Sequence, residues 1–341
     1  ALYDTVKAVA LELCPALGIG VPVGKDSLSM RTRWRTGAPG AGVPAPPPEG
    51  AAGGFGAAER SPANASESMV EHTVTAPVSL IVSAFATLDD VRGTLTPQLQ
   101  PQDDALILVD LGRGRMRLGG SMLAQVLGAF GDEVPDLDEP DLLKALAAAL
   151  HELRAAGHLL AYHDRSDGGL WACVCEMAFA GQRGVSLNVD LLVTESDGIA
   201  DSRAEYGDSK NWATQIGERR NEITLRALFN EELGVVLQVP RAQRDAVFAT
   251  LRRHGLGRHS HAIGKTNPKR VVEVWRDAKA VFSAPLRTLQ QAWDEVSWRI
   301  ARLRDHPECA DAEHAAAGAD DDTGLQLQLS FDPLQAPALL K

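Results

Sequence analysis

Apolar residues recur along this chain with two different periods, and the two periods alternate. Between residues 141 and 156 the leucines stand three or four positions apart, which is the spacing of one buried helix face. The segments 105–112, 159–164 and 234–239 are short apolar runs of the kind that form buried strands. Strands that alternate with helices are typical of a layered α/β domain. We predict this fold class, α/β with layered α+β character, for most of the chain.

The other periodic segments extend this series of strands and helices. Further helices are predicted at 3–17, within 118–130, after Gly169, at 243–255 and at 287–306. Further strands are predicted at 78–88, 184–192, 261–266, 271–275 and 325–332, and the run 19–30 is predicted as a strand that breaks into a polar loop. The run 78–88 is apolar enough to be a buried strand.

Two segments interrupt the periodic pattern and are interpreted as insertions. Residues at about 37–72 are almost entirely Gly, Ala, Pro and Ser, a composition that buries too little apolar surface to offset the entropy lost on ordering. We therefore expect this Pro/Gly insertion to be disordered. Residues at about 194–222 are polar without a clear period, which indicates a second insertion at the surface.

Composition and charge narrow the possible function classes. The 341 residues are 45% hydrophobic and 23% charged, which is enough for a sizeable core. The net charge of -11 argues against a general nucleic-acid binder, because such proteins neutralise phosphates with Lys and Arg. No run approaches the roughly 20 apolar residues that cross a bilayer. The first residues lack the basic start and cleavage site of a signal peptide, so we expect a cytoplasmic protein.

The stretch His163–Gly169, HDRSDGG, is the main candidate site, and we call it the acidic turn. It follows a predicted strand and precedes a predicted helix, where α/β folds usually bind ligands. Carboxylates suit Mg²⁺, arginine and hydroxyl groups suit phosphate, and adjacent glycines let a ligand reach free helix N–H groups. A simple helix cap with a surface Arg–Asp pair is the competing interpretation. The residues concerned are His163, Asp164, Arg165, Ser166, Asp167, Gly168 and Gly169.

Three other stretches are weaker candidates. PVGKDSLSM carries a lysine suited to phosphate, but it lacks the spacing of a Walker A loop. LGGSM is a glycine turn that can form a phosphate nest, although such turns are common before helices. The charged residues at 230–232, NEE, are expected to be solvated. The residues singled out are Lys25, Asp26 and Ser27 in the first stretch and Gly119, Gly120 and Ser121 in the second.

Four stretches together closely resemble the large single-chain bacterial form of phosphoribosylformylglycinamidine synthase. They are LCPALGIGVPVGKDSLSM, SAFATLDDVRGTLTPQL, HDRSDGGLWACVCEMAFAG and LFNEELGVVLQV, in the order of that family. The resemblance implies a synthetase core similar to aminoimidazole ribonucleotide synthetase, duplicated within one chain. By this resemblance residues 1–96 are the end of the second N-terminal, barrel-forming domain. Residues 97–303 are the second C-terminal α/β domain, and residues 304–341 are a connector towards a glutaminase domain.

The resemblance also implies an activity and its ligands. The family converts formylglycinamide ribonucleotide, ATP and glutamine-derived ammonia to formylglycinamidine ribonucleotide, ADP and phosphate. The implied cofactors are Mg²⁺ and ATP or ADP, with Asp164 as a magnesium ligand and Ser166 as a nucleotide contact. Because the family has a catalytic and a structural nucleotide site, Asp164 is alternatively a ligand of structural ADP that takes no direct part in catalysis.

The implied partners are the small-molecule substrates, the remaining synthetase half and the glutaminase domain, without nucleic acid or membrane. The sequence contains neither the first half of the synthetase nor a glutaminase cysteine motif after the core. We therefore expect the isolated chain to be inactive.

Overall fold

The structure of the protein is a computed structural model. It describes residues 2–25, 30–36, 70–76, 79–131, 133–197, 212–319, 328–332 and residue 335. The chain divides into two compact units, Ala1–Thr87 and Leu88–Lys341. This division lies ahead of the boundary predicted after residue 96, and the assignment of the two parts to two domain types stays a prediction.

The first unit contains a helical segment and a two-stranded hairpin. The helical segment confirms the helix predicted at 3–17. It ends at Gly18, whose φ of 73° is the left-handed conformation that favours glycine after a helix. The parts of this unit are α1 (Leu2–Val6), a π-helical stretch (Lys7–Leu13), α2 (Cys14–Leu17) and the antiparallel strands β1 (Arg31–Thr36) and β2 (Val70–Thr75).

Two strands predicted in the first ninety residues are wrong where the structure describes them. Residues 19–25 form no strand. Residues 79–88 also form none, and Ile81 and Phe85 are 90% and 94% exposed. An apolar run becomes a buried strand only where a neighbouring strand accepts its hydrogen bonds and another layer covers it. Within the described ranges, no strand pairs with residues 79–88.

The second unit is built on a mixed sheet of seven strands, in the order β4-β6-β3-β7-β5-β8-β9. Only β5 and β8 pair in parallel, and the other neighbours are antiparallel. The strands are β3 (Asp104–Asp110), β4 (Ala161–Asp164), β5 (Gly184–Asn188), β6 (Gly234–Pro240), β7 (Ser260–Asn267), β8 (Val271–Arg276) and β9 (Lys279–Pro285). These bounds confirm the strands predicted at 105–112, 159–164 and 234–239.

Three connections of this sheet meet at one edge. Asp110 at the end of β3 lies opposite Gly234, and Asp164 at the end of β4 lies opposite Val235. The beginning of β6 therefore stands between the ends of β3 and β4. The segment that leads into β6 and the loops that leave the other two strands are neighbours for this reason.

Helices cover both faces of the sheet, so each face has its own apolar core. Because alternate residues of β3 point to opposite faces, Leu106 and Leu108 lie in one core, and Ile107 and Val109 lie in the other. α5, α6 and α7 contribute to the first core, and α4 and α8 contribute to the second. All seven residues of β3 are buried. The layered α/β prediction is confirmed.

The helices of this unit follow the predicted order. Helix α4 confirms the prediction at 141–156 because Leu146, Ala149 and Leu153, three and four positions apart, are its buried face. The helices are α3 (Met122–Val126), α4 (Pro140–Ala155), α5 (Gly169–Gly181), α6 (Asp190–Asp197), α7 (Trp212–Phe229), α8 (Arg244–Arg253), α9 (Leu286–Arg304) and α10 (Pro307–Ala317).

The predicted insertions are only partly described. Residues 37–69 lie outside the described residues, and 70–72 belong to strand β2. Of the segment 194–222, residues 198–211 lie outside the described residues, whereas 212–222 form the first turns of α7. Residues 212–222 are therefore helical, and the interpretation of 194–222 as a surface insertion stays a prediction. The polar start of α7 hid its helical period, which becomes apparent only where its residues enter the first core, at Ile223 and Ala227.

The C-terminal part adds a helix pair and no strand where it is described. Helix α10 packs on α9, with the rings of Trp298 and His314 stacked at 4.4 Å between centroids. Residues 328–332 of the strand predicted at 325–332 are irregular, and 325–327 lie outside the described residues. No described helix has the length and apolarity needed to span a bilayer, and the cytoplasmic location stays a prediction.

The two-sided burial of β3 leads to a stability prediction. Ile107→Ala should lower the free energy of unfolding by about 2–5 kcal/mol, because it removes buried methyl groups and leaves a cavity in the second core. Ile300→Ala on α9 makes the same change at a side chain that is 55% exposed, and it should shift stability by less than about 0.5 kcal/mol. Urea unfolding of the full chain measures both, and equal effects would contradict the proposed core.

Candidate functional site

The acidic turn joins the end of β4 to the beginning of α5, as the sequence predicted. Gly168 and Gly169 have φ values of 79° and 68°, which are conformations that only glycine adopts readily. A Cβ on Gly169 would lie 2.6 Å from the backbone oxygen of Asn230. The two glycines are therefore needed for a sharp turn and for close contact with the segment before β6.

Three side chains of the acidic turn face solvent. Asp164, Ser166 and Asp167 are exposed. Asp164 Oδ1 accepts a hydrogen bond from the hydroxyl of Tyr162, and burial followed by the neighbouring carboxylate raises the pKa of that tyrosine. A ligand can reach the carboxylate of Asp164 and the hydroxyl of Ser166 without any rearrangement of the core.

Arg165 of the same turn is buried and binds inside the protein. Its guanidinium forms an ion pair with Asp110 and donates to the backbone oxygens of Glu232 at 2.6 Å and Leu233 at 3.1 Å. Its backbone N–H donates to Gly234 at 2.8 Å. The surface Arg–Asp pair considered for this turn is therefore wrong. A phosphate contact of Arg165 would require the loss of these internal bonds.

Asp110 is the buried partner of Arg165 at the end of β3. It also accepts hydrogen bonds from the N–H groups of Gly112 at 3.2 Å and Gly114 at 2.8 Å. Burial alone would raise the pKa of Asp110. The Arg165 guanidinium and the two amides outweigh burial, so the pKa lies below its usual value. Asp110 is thus held as a carboxylate that joins the acidic turn to the loop after β3.

A second buried ion pair lies beside the first. Glu232 is fully buried, and both of its oxygens accept from the Arg117 side chain, at 2.7 Å from Nε and 2.8 Å from Nη2. The backbone N–H of Arg117 donates to the same carboxylate at 3.0 Å. Asp138 binds the outer side of the guanidinium at 3.1 Å. A bidentate pair of this kind fixes both orientation and distance.

The sequence interpretation of residues 230–232 was wrong. We expected these residues to be solvated, but Asn230 and Glu232 are buried and only Glu231 is partly exposed. The missed signal was the tripeptide NEE directly before a buried strand, because charge there needs partners. Those partners, the guanidinium of Arg117 for Glu232 and the amides of Gly168 and Met122 for Glu231, are far away in the sequence.

Glu231 joins the acidic turn to the turn at residues 118–121, which we call the LGGS turn. Its Oε1 atom accepts from the N–H of Gly168 and the N–H of Met122, both at 2.8 Å. Each donor lies at the beginning of a helix, where negative charge is favourable. The amide of Gly168, predicted as a phosphate donor, is therefore bound to a carboxylate of the protein itself.

The LGGS turn does not offer the phosphate nest that its sequence suggested. The N–H of Gly119 donates to Glu133 at 2.6 Å, that of Gly120 to Phe130 at 2.7 Å and that of Ser121 to Leu118 at 3.1 Å, in each case to the backbone oxygen. The Ser121 hydroxyl accepts from Ala124 N–H at 3.2 Å and caps α3. Internal partners thus take the polar groups that were predicted to hold a phosphate.

The remaining predicted residues lie elsewhere. His163 Nε2 is 2.8 Å from Glu176 on α5, so it binds a neighbouring helix. Lys25 is exposed in the first unit, and Asp26 and Ser27 lie outside the described residues. The acidic turn is therefore brought together with Asp110, Arg117 and residues 230–233.

The loop after β3, residues 111–117, adopts a strained conformation. Arg113 and Met116 have φ values of 60° and 51°, in the left-handed region that non-glycine residues rarely occupy. Each such residue costs about 1–3 kcal/mol, so surrounding contacts must hold it. Asp110 and Glu232 supply those contacts at the two ends of the loop.

The acidic turn fits a magnesium ion only if a ligand shares it. Mg²⁺ is usually held by one or two carboxylates together with waters and phosphate oxygens. Asp164 and Asp167 are two exposed carboxylates of the required kind. Among the described residues, no group of three His, Cys, Asp or Glu side chains forms a metal site made by the protein alone. The donor set therefore suits Mg²⁺ that arrives with a phosphate compound.

The second ion pair leads to a test of stability. Glu232→Ala should lower the free energy of unfolding by about 3–5 kcal/mol, because it leaves a buried guanidinium without its main partner. Glu152→Ala removes a carboxylate that pairs with Arg253 at the surface, and the expected cost is at most about 1 kcal/mol. Chemical unfolding of both variants measures these losses in the free energy of unfolding. A loss for Glu232→Ala as small as that for Glu152→Ala would mean that the buried pair of Arg117 and Glu232 contributes little to stability.

The depressed pKa of Asp110 leads to a pH prediction. A carboxylate whose folded pKa is lowered stabilises the fold above its unfolded pKa, about 3.9, and this contribution is lost as pH falls through the folded pKa. The stability difference between wild type and Asp110→Asn should therefore shrink as pH falls below about 4. Asp245→Asn, on an almost fully exposed side chain, is the control and should show little difference at any pH. A wild-type advantage at residue 110 that is constant with pH would exclude this role.

Several solved structures match part of this chain at low identity and with TM-scores below 0.5. Thermotoga maritima PurL complexed with FGAR matches at 14% identity with a TM-score of 0.42, covering 65% of this chain and 31% of that chain. T. maritima PurL complexed with ATP matches at 12% identity with a TM-score of 0.41, covering 65% of this chain and 29% of that chain. Escherichia coli HypE matches at 21% identity with a TM-score of 0.36, covering 56% of this chain and 52% of that chain. The chain thus spans less than a third of the PurL chains that it matches.

Two family models match the sequence directly, one in each unit. The model described as the FGAR-AT PurM_N-like domain matches residues 1–47. The model described as "AIR synthase related protein, C-terminal domain" matches residues 102–277, just over half of the chain. The second match covers β3 to β8, including the acidic turn and both buried ion pairs. The chain therefore belongs to the family of AIR synthase related proteins, whose C-terminal domain it carries.

Proposed function

We propose that this chain is part of an ATP-dependent phosphoribosylformylglycinamidine synthase. The observation that carries the proposal is the order of the two family matches, an FGAR-AT PurM_N-like segment followed by an AIR synthase related C-terminal domain. The motif HDRSDGG followed by LFNEELG supports the same family. In this proposal residues 1–96, 97–303 and 304–341 are the end of an N-terminal-type domain, a C-terminal-type domain and a connector.

The proposed reaction belongs to the complete enzyme, of which this chain is a portion. It consumes formylglycinamide ribonucleotide, ATP and glutamine-derived ammonia, and it yields formylglycinamidine ribonucleotide, ADP and phosphate. The other half of the synthetase and a glutaminase domain would be the partners. We propose that the chain alone does not turn over, because these parts supply the remaining groups around the substrate.

The acidic turn is the proposed nucleotide site of this chain. Asp164 and Ser166 present an exposed carboxylate and hydroxyl, and the arginine between them is fixed in the interior by Asp110. We propose that Ser166 contacts the phosphates of ATP or ADP and that Asp164 holds their Mg²⁺. The ion, when bound, would neutralise phosphate charge and orient the phosphate oxygens.

The contacts around the acidic turn favour holding a nucleotide over catalysing its reaction. The imidazole of His163, at the beginning of the turn, binds Glu176 on a helix, and Arg165 binds Asp110. The exposed groups, Asp164, Ser166 and Asp167, form no nucleophile–base pair among themselves. We therefore favour the structural alternative, in which bound ADP with Mg²⁺ stabilises this half of the synthetase.

Calorimetric titration of the full chain with ADP and MgCl₂ tests this site. Asp164→Ala should weaken binding at least tenfold, and Ser166→Ala should weaken it less because a neutral hydrogen bond contributes less than a metal ligand. Asp245→Ala removes an exposed carboxylate of α8 and should leave the affinity unchanged.

Three outcomes are distinguished by further measurements: a structural nucleotide site, a catalytic nucleotide site and no nucleotide site at all. If Asp164 serves a structural nucleotide, ADP should raise the Tm of the wild type and leave the Tm of Asp164→Ala unchanged. If Asp164 serves catalysis instead, Asp164→Ala in the complete synthetase should lower kcat and leave its Tm and its content of bound nucleotide unchanged. Equal ADP affinity of wild type and Asp164→Ala would contradict the nucleotide site itself.

A further inference from the structure

Helices cover the second face of the sheet over only part of its width. The second core takes its strand residues from β3 and β6, with Tyr162 of β4 packed against it. No residue of β5, β7 or β8, which the structure describes in full, belongs to this core. A groove of about 580 Å³ lies on these three strands, bordered by the beginnings of β3 and α8. Its volume is within the range of small-molecule sites.

One row of side chains across the groove places a cation and an anion on the same face. Ser186 of β5 pairs with Lys265 of β7 on one side and with Glu273 of β8 on the other. This row faces away from the first core, which contains the adjacent residues Val185 and Leu187. Neighbouring strands are about 4.8 Å apart, so the Cα atoms of Lys265 and Glu273 are separated by about 10 Å across the row.

The charges of Lys265 and Glu273 are not paired within the described part of the chain. No carboxylate lies there within ion-pair distance of Lys265, and no basic side chain lies within that distance of Glu273. Glu273 Oε2 accepts from the hydroxyl of Ser186 at 3.1 Å and from the indole N–H of Trp275 at 3.2 Å, and these bonds orient the carboxylate. None of the described donors reaches Oε1. A ligand in the groove therefore meets an available carboxylate oxygen on β8 and an available ammonium group on β7.

The other charged groups of the groove are bound elsewhere or lie outside this row. Arg241 and Arg244 pair with surface aspartates at 3.9 Å and 3.5 Å. Asp104 is buried, and its carboxylate accepts hydrogen bonds from two internal donors. Lys269 is exposed in the turn between β7 and β8, beyond the end of the row. The two charges of the row are therefore the ones that a ligand can bridge.

A pair of opposite charges in one row indicates a zwitterionic ligand. A monoanion would leave Glu273 unpaired and a monocation would leave Lys265 unpaired, whereas an α-amino acid carries an ammonium and a carboxylate on one carbon. Trp275 follows Glu273 by two positions on β8, so its ring lies on the same face and lines the groove beside Ala262. We propose that this groove binds an aromatic α-amino acid, with its ammonium on Glu273, its carboxylate on Lys265 and its ring against Trp275.

Calorimetric titration of the full chain with L-phenylalanine and three analogues tests the ligand class. 3-Phenylpropanoate lacks the ammonium, phenethylamine lacks the carboxylate, and glycine lacks the ring. L-Phenylalanine should bind at least about tenfold more tightly than each analogue, because each analogue loses one of the three contacts. The proposal is overturned if the wild type shows no binding at millimolar L-phenylalanine or if any analogue binds as tightly.

Two variants that remove charge test the assigned residues. Glu273→Gln keeps an oxygen that accepts from Ser186 and Trp275, so the local structure is retained. It should weaken L-phenylalanine binding by about tenfold or more without weakening the binding of 3-phenylpropanoate. Lys265→Met keeps the apolar stem and should weaken L-phenylalanine binding to a similar extent without weakening the binding of phenethylamine. Equal L-phenylalanine affinity of the wild type and either variant would overturn the proposal.

Matched controls separate this groove from general charge effects and from the nucleotide site. Lys279→Met removes the same charge from an exposed lysine of β9 that does not line the groove, so it should leave the affinity for L-phenylalanine unchanged. No residue of the acidic turn lines the groove, so Asp164→Ala should also leave it unchanged, although it abolishes the proposed nucleotide site. A loss in either control as large as that in Lys265→Met would contradict the proposed site.

Discussion

Two buried ion pairs, Arg165 with Asp110 and Arg117 with Glu232, are the constraint on which this end of the sheet depends. A buried charge without a partner costs several kcal/mol, so three segments that are distant in sequence must close on one another together. The sheet provides the place, because the ends of β3 and β4 meet at the beginning of β6. The ion pairs then determine which side chains remain inside and which remain available at the surface.

This constraint explains why one side chain of the acidic turn is buried while its neighbours are exposed. Arg165 is drawn inward by Asp110, and the backbone around it therefore presents Asp164 and Ser166 outward. Glycines are required where chain segments press together: a Cβ on Gly112 would come within 2.5 Å of Glu232, just as one on Gly169 would meet Asn230. Glu231 neutralises two helix beginnings with one oxygen atom. The resulting site is held in shape before any ligand arrives, which favours binding because less ordering remains to be done.

The parts of the fold that follow from local periodicity were predictable, and the parts that depend on distant partners were not. The spacing of the leucines in α4 indicates one buried helix face, and the continuous apolar run of β3 indicates a strand that is buried on both faces. Both elements were therefore predicted correctly. Residues 79–88 have the composition of a strand but lack a described neighbour, and α7 has a polar start that conceals its period. At the site, the sequence predicted the turn and its exposed carboxylate. It did not predict that Arg165 and Glu232 are buried, because the partners of both are more than fifty residues away.

Arg165 and Asp110 stabilise the fold as a pair and not as two independent residues. A double-mutant cycle with Asp110→Ala, Arg165→Ala and the double variant measures this coupling in the free energy of unfolding at neutral pH. We expect a coupling of at least about 1 kcal/mol, with the double variant markedly less destabilised than the sum of the two single variants. Additive effects, with a coupling near zero, would contradict it.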